Sequence, residues 1–253
     1  DVVPRKPKVG KEYARQLEWW RTHLGDLTLN NLSSARISEL RDQLANGTVK
    51  WGINLKEKET DKRSHATVNR YLAALSSAFG IAVKEWQWID ENPMRRVSKL
   101  KEPRGRVRCL TEEERERLLA ACKDSVNPHL YMAVVLALST GARQQEAWGL
   151  RWSEVNLERG LITFTETKNN EFRSVPLEGH ARELLLGHSK IRRIDSDLVF
   201  PSKKNPVVRH DFRDPWNKAL VVAEVEDFRW HDLRHSCASY LAINGVPMLT
   251  IAE

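Results

Sequence analysis

Apolar residues return every three or four positions through most of the chain, and in one short stretch they alternate instead. Over residues 11–24, Tyr13, Leu17, Trp20 and Leu24 keep the helical period and Gly25 ends it. Ser33 or Ser34 can cap a second helix with Ile37, Leu40 and Leu44 as its stripe, closing at Asn46-Gly47. Polar residues 56–62 read as an exposed loop. Val68, Tyr71, Leu72, Leu75, Phe79 and Val83 then predict a long helix over 65–86 that packs on the first two, and Asn92-Pro93 terminates the short segment beyond it. Thr111-Glu112-Glu113-Glu114 is a capping box opening a helix to about residue 121, and 130–138 is apolar enough to be a buried core helix ending at Thr140-Gly141. Residues 161–165 and 173–177 alternate around Lys168-Asn169-Asn170-Glu171, which predicts a β-hairpin with Lys168 near its turn. Helical spacing resumes over 178–186, around Trp216 and Leu220, and from 231 to 243. The fold class is therefore mainly α with a small antiparallel β-sheet.

Composition changes sharply between Pro93 and Arg108. Arg95, Arg96, Lys99, Lys101, Arg104, Arg106 and Arg108 crowd there with Pro103, Gly105 and few apolar residues. The chain thus reads as a helical domain over 1–94, a basic linker over 95–108, and a second domain over 109–253. Lys and Arg total 41 against 34 Asp and Glu, a net charge of +7, which favours a polyanionic partner. A cationic tether lying along a phosphate backbone gains counterion release at each lysine or arginine. Lys203, Lys204 and Arg209, in a later polar loop, are further candidates for phosphate contacts.

Several classes fall away. No apolar run reaches the roughly 20 residues of a spanning helix, and residues 1–7 have no secretory core, so a cytoplasmic protein is expected. Cys109, Cys122 and Cys237 lack metal-ligand spacing, so neither a metal site nor a disulfide framework is expected, and no cofactor is implied. Trp19, Trp20, Trp86, Trp88 and Trp216 are assigned to packing in amphipathic helices rather than to base stacking.

Chemistry is concentrated in two separated motifs: Ser139-Thr140-Gly141-Ala142-Arg143-Gln144-Gln145-Glu146, and Trp230-His231-Asp232-Leu233-Arg234-His235. Guanidinium forks grip phosphate oxygens bidentately and keep their charge at any accessible pH. His231 precedes Arg234 by one helical turn, so both can face one phosphate, and Glu146 follows Arg143 by the same interval and can orient it.

These motifs, with Gly149-Leu150-Arg151-Trp152-Ser153-Glu154-Val155, Thr167-Lys168-Asn169 and Arg173-Ser174-Val175-Pro176-Leu177 between them, resemble the tyrosine recombinase family, the phage integrases. The likeness covers nearly the whole chain. Thr67-Val68-Asn69-Arg70 and Glu91-Asn92-Pro93 are similar to that family's helical core-binding domain, and 109–253 to most of its catalytic domain. The resemblance implies that Arg143 and Arg234 hold the nonbridging oxygens of a scissile phosphate, that Lys168 protonates the leaving 5′-hydroxyl, and that His231 donates to the phosphate or assists proton transfer. It also implies double-stranded DNA as partner and a homotetramer on paired sites, with strand exchange through a 3′-phosphotyrosyl intermediate.

One departure matters. The family's nucleophilic tyrosine lies a helix or more beyond the second arginine, and no residue here fills that place. Tyr240 is the sole tyrosine beyond His231, and it lies between apolar positions of a helix with Leu241 and Ile243, so it is expected to pack rather than attack. A chain of this extent is expected to bind DNA without cleaving it. Two other readings stay open: a DNA-binding regulator of the same fold without catalysis, and a type IB topoisomerase-like enzyme. Retention of Lys168 beside both arginines speaks against the first, since a binder has no use for a leaving-group acid.

Overall fold

The structure, a computed structural model, describes residues 10–47, 62–103, 105–165 and 172–247. The chain divides into two compact units, Asp1–Gly105 and Arg106–Glu253.

The first unit is built on three helices: α1, Gly10–Leu24; α2, Ser34–Asn46; and α3, His65–Lys84. Ser33 caps α2 by accepting from the Arg36 amide, and Gly47 closes it in the left-handed region at φ 72°, where glycine has no Cβ to clash. Ser64 caps α3 in the same way through the Thr67 amide. Their apolar faces meet in one cluster around Trp19, Trp20, Ile37, Leu40, Val68 and Tyr71. The indole N–H of Trp20 would be costly to bury unpaired, and it donates to the Tyr71 carbonyl at 2.8 Å.

Two sequence expectations change here. Helix α3 ends at Lys84, and Trp86 and Trp88 lie beyond it, 42% and 63% exposed, with ring centroids 4.3 Å apart. They cover each other instead of joining the core. The basic segment is also less free than a tether. Met94 and Val97 are buried in the helical cluster, Leu100 packs against it, and Asn69 exchanges two hydrogen bonds with the Leu100 backbone at 2.8 and 2.9 Å. Residues 94–100 are thus an integral edge of the first unit, because burial of three apolar side chains among the charges stabilises them there.

The second unit centres on α5, Leu130–Thr140, a nearly uniform apolar helix packed on by α4 (Glu112–Lys123), α7 (Gly179–Ser189) and α9 (Asp232–Ile243). Thr111 and Glu114 form the expected capping box on α4, satisfying two backbone donors. Between α5 and α7 lie a short helix, α6 (Gln144–Trp148), and a three-stranded antiparallel sheet in the order β1 (Val155–Asn156), β2 (Leu161–Phe164), β3 (Arg173–Pro176). Register pairs Ile162 with Val175 and Phe164 with Arg173. Helix α8, Arg213–Val222, completes the unit. Neither α6 nor β1 is signalled by periodicity, since five and two residues are too short to show one. Among the described residues no helix is long and apolar enough to cross a membrane, and no group of three or more His, Cys, Asp or Glu could hold a metal ion.

Candidate active site

The end of α5 sets the position of Arg143. Gly141 caps the helix at φ 60°, and Thr140 holds the turn by donating to the Leu136 carbonyl at 2.6 Å and accepting the Ala142 amide at 3.2 Å. The chain reverses within two residues, which leaves Arg143 as the N-cap of α6. Glu146, in the first turn of α6, answers it twice: Oε2 accepts the Arg143 amide at 2.8 Å and Oε1 the guanidinium Nη1 at 2.7 Å.

Helix α9 brings the second motif to the same place. Trp230, buried against Trp148 and Trp216 at centroid distances of 5.1 and 5.0 Å, anchors the turn before it. His231 is the N-cap of α9 and is exposed, and Arg234 lies one turn in. The Arg234 guanidinium donates to the Gly141 carbonyl at 2.5 Å, two residues before Arg143. Two arginines 91 positions apart in sequence therefore share one corner of the fold.

A third arginine joins them. Arg173, the first residue of β3, donates through Nη2 to Glu146 Oε2 at 2.7 Å and lies over the Phe164 ring, 5.1 Å from its centroid. Sequence reading places Arg173 in a strand and gives it no role. No sequence signal marks it, since only the strand pairing of Arg173 with Phe164 and the packing of β3 near α6 bring it to Glu146.

The electrostatics are those of an anion site. Burial and the charges of Arg173 and Arg143 push the Arg234 pKa below its ordinary value. Burial, then the charges of His235, Arg234 and Arg143, lower that of His231. Glu146 is nearly buried, and burial by itself raises a carboxyl pKa. The Arg143 amide and guanidinium, with the Arg173 charge, outweigh that and hold Glu146 below its ordinary value, as an anion. Three guanidiniums around one carboxylate leave unbalanced positive charge, and Arg234 makes no ion pair among the described residues. Such a corner can bind and polarise a phosphodiester.

The remaining expected residues fare differently. Lys168 and Arg104 lie outside the described residues. Arg95, Arg96, Lys99 and Lys101 are exposed on the first unit, and Lys203 and Lys204 on the second. Arg209 is half-buried and, with Arg151, lines a cavity of about 240 Å³ that also touches Glu146 and Phe164. Arg106 and Arg108, expected to meet phosphates, are taken up inside the second unit. Arg106 pairs with Asp227 and with Asp232 at 3.1 Å, and Arg108 grips Glu114 at 2.8 and 2.5 Å. Their nearest anions are carboxylates of their own domain, so they staple the entrance of the second unit.

Tyr240, expected in the core, is half-buried. Its hydroxyl donates to the Leu110 carbonyl at 3.2 Å and Arg115 lies over its ring at 5.5 Å. Burial raises its pKa, and the charges acting on it come from Arg115, Glu112 and Glu114 of α4 and from Cys109. Tyr131, the other tyrosine described in this unit, hydrogen bonds His180 at 3.0 Å.

Comparison with known proteins identifies the family and the fold. The model of the phage integrase family matches residues 108–253. The shufflon-specific DNA recombinase of Escherichia coli is 34% identical over 74% of this chain and 46% of its own length. The integrase of Haemophilus phage HP1 is 32% identical over 96% of this chain and 66% of its own. The chain thus spans about half to two thirds of the length of these curated relatives. Among solved structures, the Tn1549 transposon integrase in complex with a circular intermediate DNA covers 98% of this chain and 84% of its own with a TM-score of 0.75 at 18% identity. A lambda integrase tetramer bound to a Holliday junction covers 96% of this chain and 69% of its own at 0.70 and 17%. At such identities these two structures establish the fold.

Proposed function

The chain belongs to the phage integrase family of tyrosine recombinases, and from that premise we propose that it is the DNA-gripping and phosphate-activating part of a site-specific recombinase. The observation that carries this reading is the shared corner of Arg143 and Arg234, where Arg234 donates to the Gly141 carbonyl two residues before Arg143 and His231 stands beside both. In the proposed reaction a tyrosine hydroxyl attacks the scissile phosphate, forming a 3′-phosphotyrosyl bond as the bond to the 5′ oxygen breaks. Arg143 and Arg234 stabilise the charge on the nonbridging oxygens, Glu146 orients Arg143, His231 donates to the phosphate, and Lys168 delivers a proton to the departing 5′-hydroxyl. The ester stores the energy for religation, so the reverse attack by a 5′-hydroxyl completes exchange.

In this reading the helical unit and the second unit both hold duplex DNA, with Arg95, Arg96, Lys99, Lys101, Lys203, Lys204 and Arg209 on phosphates, and four copies act on paired sites in the cytoplasm. On the same reading the 253 residues alone bind DNA without attaching to it, because Tyr240, whose hydroxyl donates to Leu110, does not fill the family's nucleophile position. The test uses the protein as its gene encodes it, on a supercoiled plasmid with and without paired sites. Recombinant circles support the proposal. Relaxation alone points to topoisomerase action and no product to a regulator, and either result overturns it. For the 253-residue chain, a protein-linked 3′ end on site-bearing DNA contradicts the assignment of Tyr240.

A further inference from the structure

The bridge between Glu146 and Arg173 has a geometry that packing does not require. Glu146 is nearly buried, and its two oxygens take three donors: the Arg143 amide, Arg143 Nη1 and Arg173 Nη2. Oε2 is shared, so the two guanidiniums are held on one carboxylate. Arg173 in turn is fixed from its own side, by register opposite Phe164 and by lying over that ring. Its Nε is buried without a hydrogen-bond partner. An apolar side chain would fill the same place with no unpaired buried donor, so the guanidinium is best understood through the carboxylate it holds.

We propose that Arg173 is a positioning residue of the strand-exchange site: by sharing the Glu146 carboxylate with Arg143 it fixes the Arg143 guanidinium toward the phosphate and ties β3 to the start of α6. The inference rests on the recombinase reading and deepens it. Without Arg173, Glu146 and the Arg143 guanidinium are held only by bonds within one turn of α6, through the Arg143 amide and Nη1. A second cation entering from a different element adds a hold from outside that turn. Ala147 and Trp148 of α6 already share the apolar core with Ile162 and Phe164 of β2, and the ion pair adds a directional polar link between the two elements at the site. Arg173 also adds a third positive charge beside Arg234, which raises the attraction for an anion entering the corner.

The experiment is a cleavage assay on the protein as its gene encodes it, using a duplex that bears its recombination site and a nick just past the scissile phosphate. First-order cleavage rate and DNA affinity are measured together for wild type, Arg173→Gln, Arg173→Lys, Glu146→Gln and the double variant Arg173→Gln with Glu146→Gln. Arg173→Gln is expected to slow cleavage about 10- to 100-fold, the scale of a small misplacement of a catalytic group, while affinity stays within about threefold. Arg173→Lys, which keeps the charge and loses the fork, recovers part of the rate. In the Glu146→Gln background the loss of Arg173 adds little, because the link is already cut.

A merely structural arginine gives a different pattern: effects that multiply, no rescue by lysine, and losses that track melting temperature. That pattern, or a wild-type rate in Arg173→Gln, overturns the inference. Should Arg173→Gln not fold, Arg173→Lys is read alone, and an unchanged rate there overturns it equally. A wild-type protein that fails to cleave is a separate outcome, which removes the recombinase reading and the inference with it.

Discussion

At the scale of single residues, the site depends on one buried carboxylate holding two cations, and charge tells the residues apart. Arg143→Ala removes a guanidinium proposed to hold the phosphate and leaves the exposed basic surface intact. In the gene-encoded protein it is expected to cut cleavage by about 10²- to 10³-fold, the usual cost of one preorganised donor, with DNA affinity nearly unchanged. Rate and affinity measured on the same nicked duplex check both halves, and wild-type cleavage would take Arg143 out of the site. Tyr240→Phe isolates the opposite case. It deletes a hydroxyl that donates to Leu110, so it should cost about 0.5 to 1.5 kcal/mol of stability in denaturant unfolding and leave the cleavage rate of the gene-encoded protein alone. Arg143 and Arg234 could be singled out from their sequence motifs. Arg173 could not, because one arginine at the end of an alternating segment looks the same whether it meets solvent or a buried glutamate.

At the scale of elements, turns and caps do the placing. Gly141 ends α5 in the left-handed region, and a Cβ there would lie 3.5 Å from Cys237 Sγ and 3.9 Å from Arg234 Cγ. These are ordinary contacts, so the cost of Gly141→Ala is mainly conformational, about 1 to 2 kcal/mol, read as a lower unfolding free energy. The junction of α5, α7 and the segment before α8 carries a different liability. His129 is half-buried with His188 and His210 around it, at centroid distances of 5.3 and 6.2 Å. Burial first, then the charges of His188, His210 and Lys203, bring its pKa down from 6.5 to about 4. The native state therefore binds fewer protons than the unfolded chain between those values. The contribution of His129 to stability is complete above pH 6.5 and is lost progressively as the pH falls toward 4. Melting temperature should drop across that window, and His129→Gln should flatten the drop; an equally steep profile in the variant would assign it to other groups. Cap motifs such as Thr111 to Glu114 are legible because they are local, whereas the exposure of Trp86 and Trp88 is not, since their spacing fits a helix that ends before them.

At the scale of the whole molecule, net charge is a poor guide to which cations meet DNA. The chain carries seven more positive than negative groups, yet Arg106 and Arg108 are engaged by Asp227, Asp232 and Glu114. Replacing Arg95 and Lys99 together by alanine should weaken binding to any duplex and lower the salt slope by up to about two, one per lost phosphate contact. Arg106→Ala should instead lower the melting temperature, by uncovering the nearly buried Asp232, with the salt slope unchanged. Binding isotherms over a range of ionic strength separate the two kinds of arginine, and a reduced slope for Arg106→Ala would return it to the DNA-facing set.

The order of amino acids dictates, unaided, whatever depends on near neighbours in the chain: the helical period of α1, α2 and α3, the capping box of α4, the apolar character of α5, and the two motifs with their arginines one turn from a glutamate or a histidine. Local backbone geometry is enough for each of these. Packing of the folded chain was needed before Gly141 could meet Arg234, Arg173 reach Glu146, residues 94–100 join the first unit, and Asp232 neutralise Arg106. All four bring together groups from different elements, and which charge ends beside which depends on how the apolar faces pack, a property of the folded whole that no window of sequence contains.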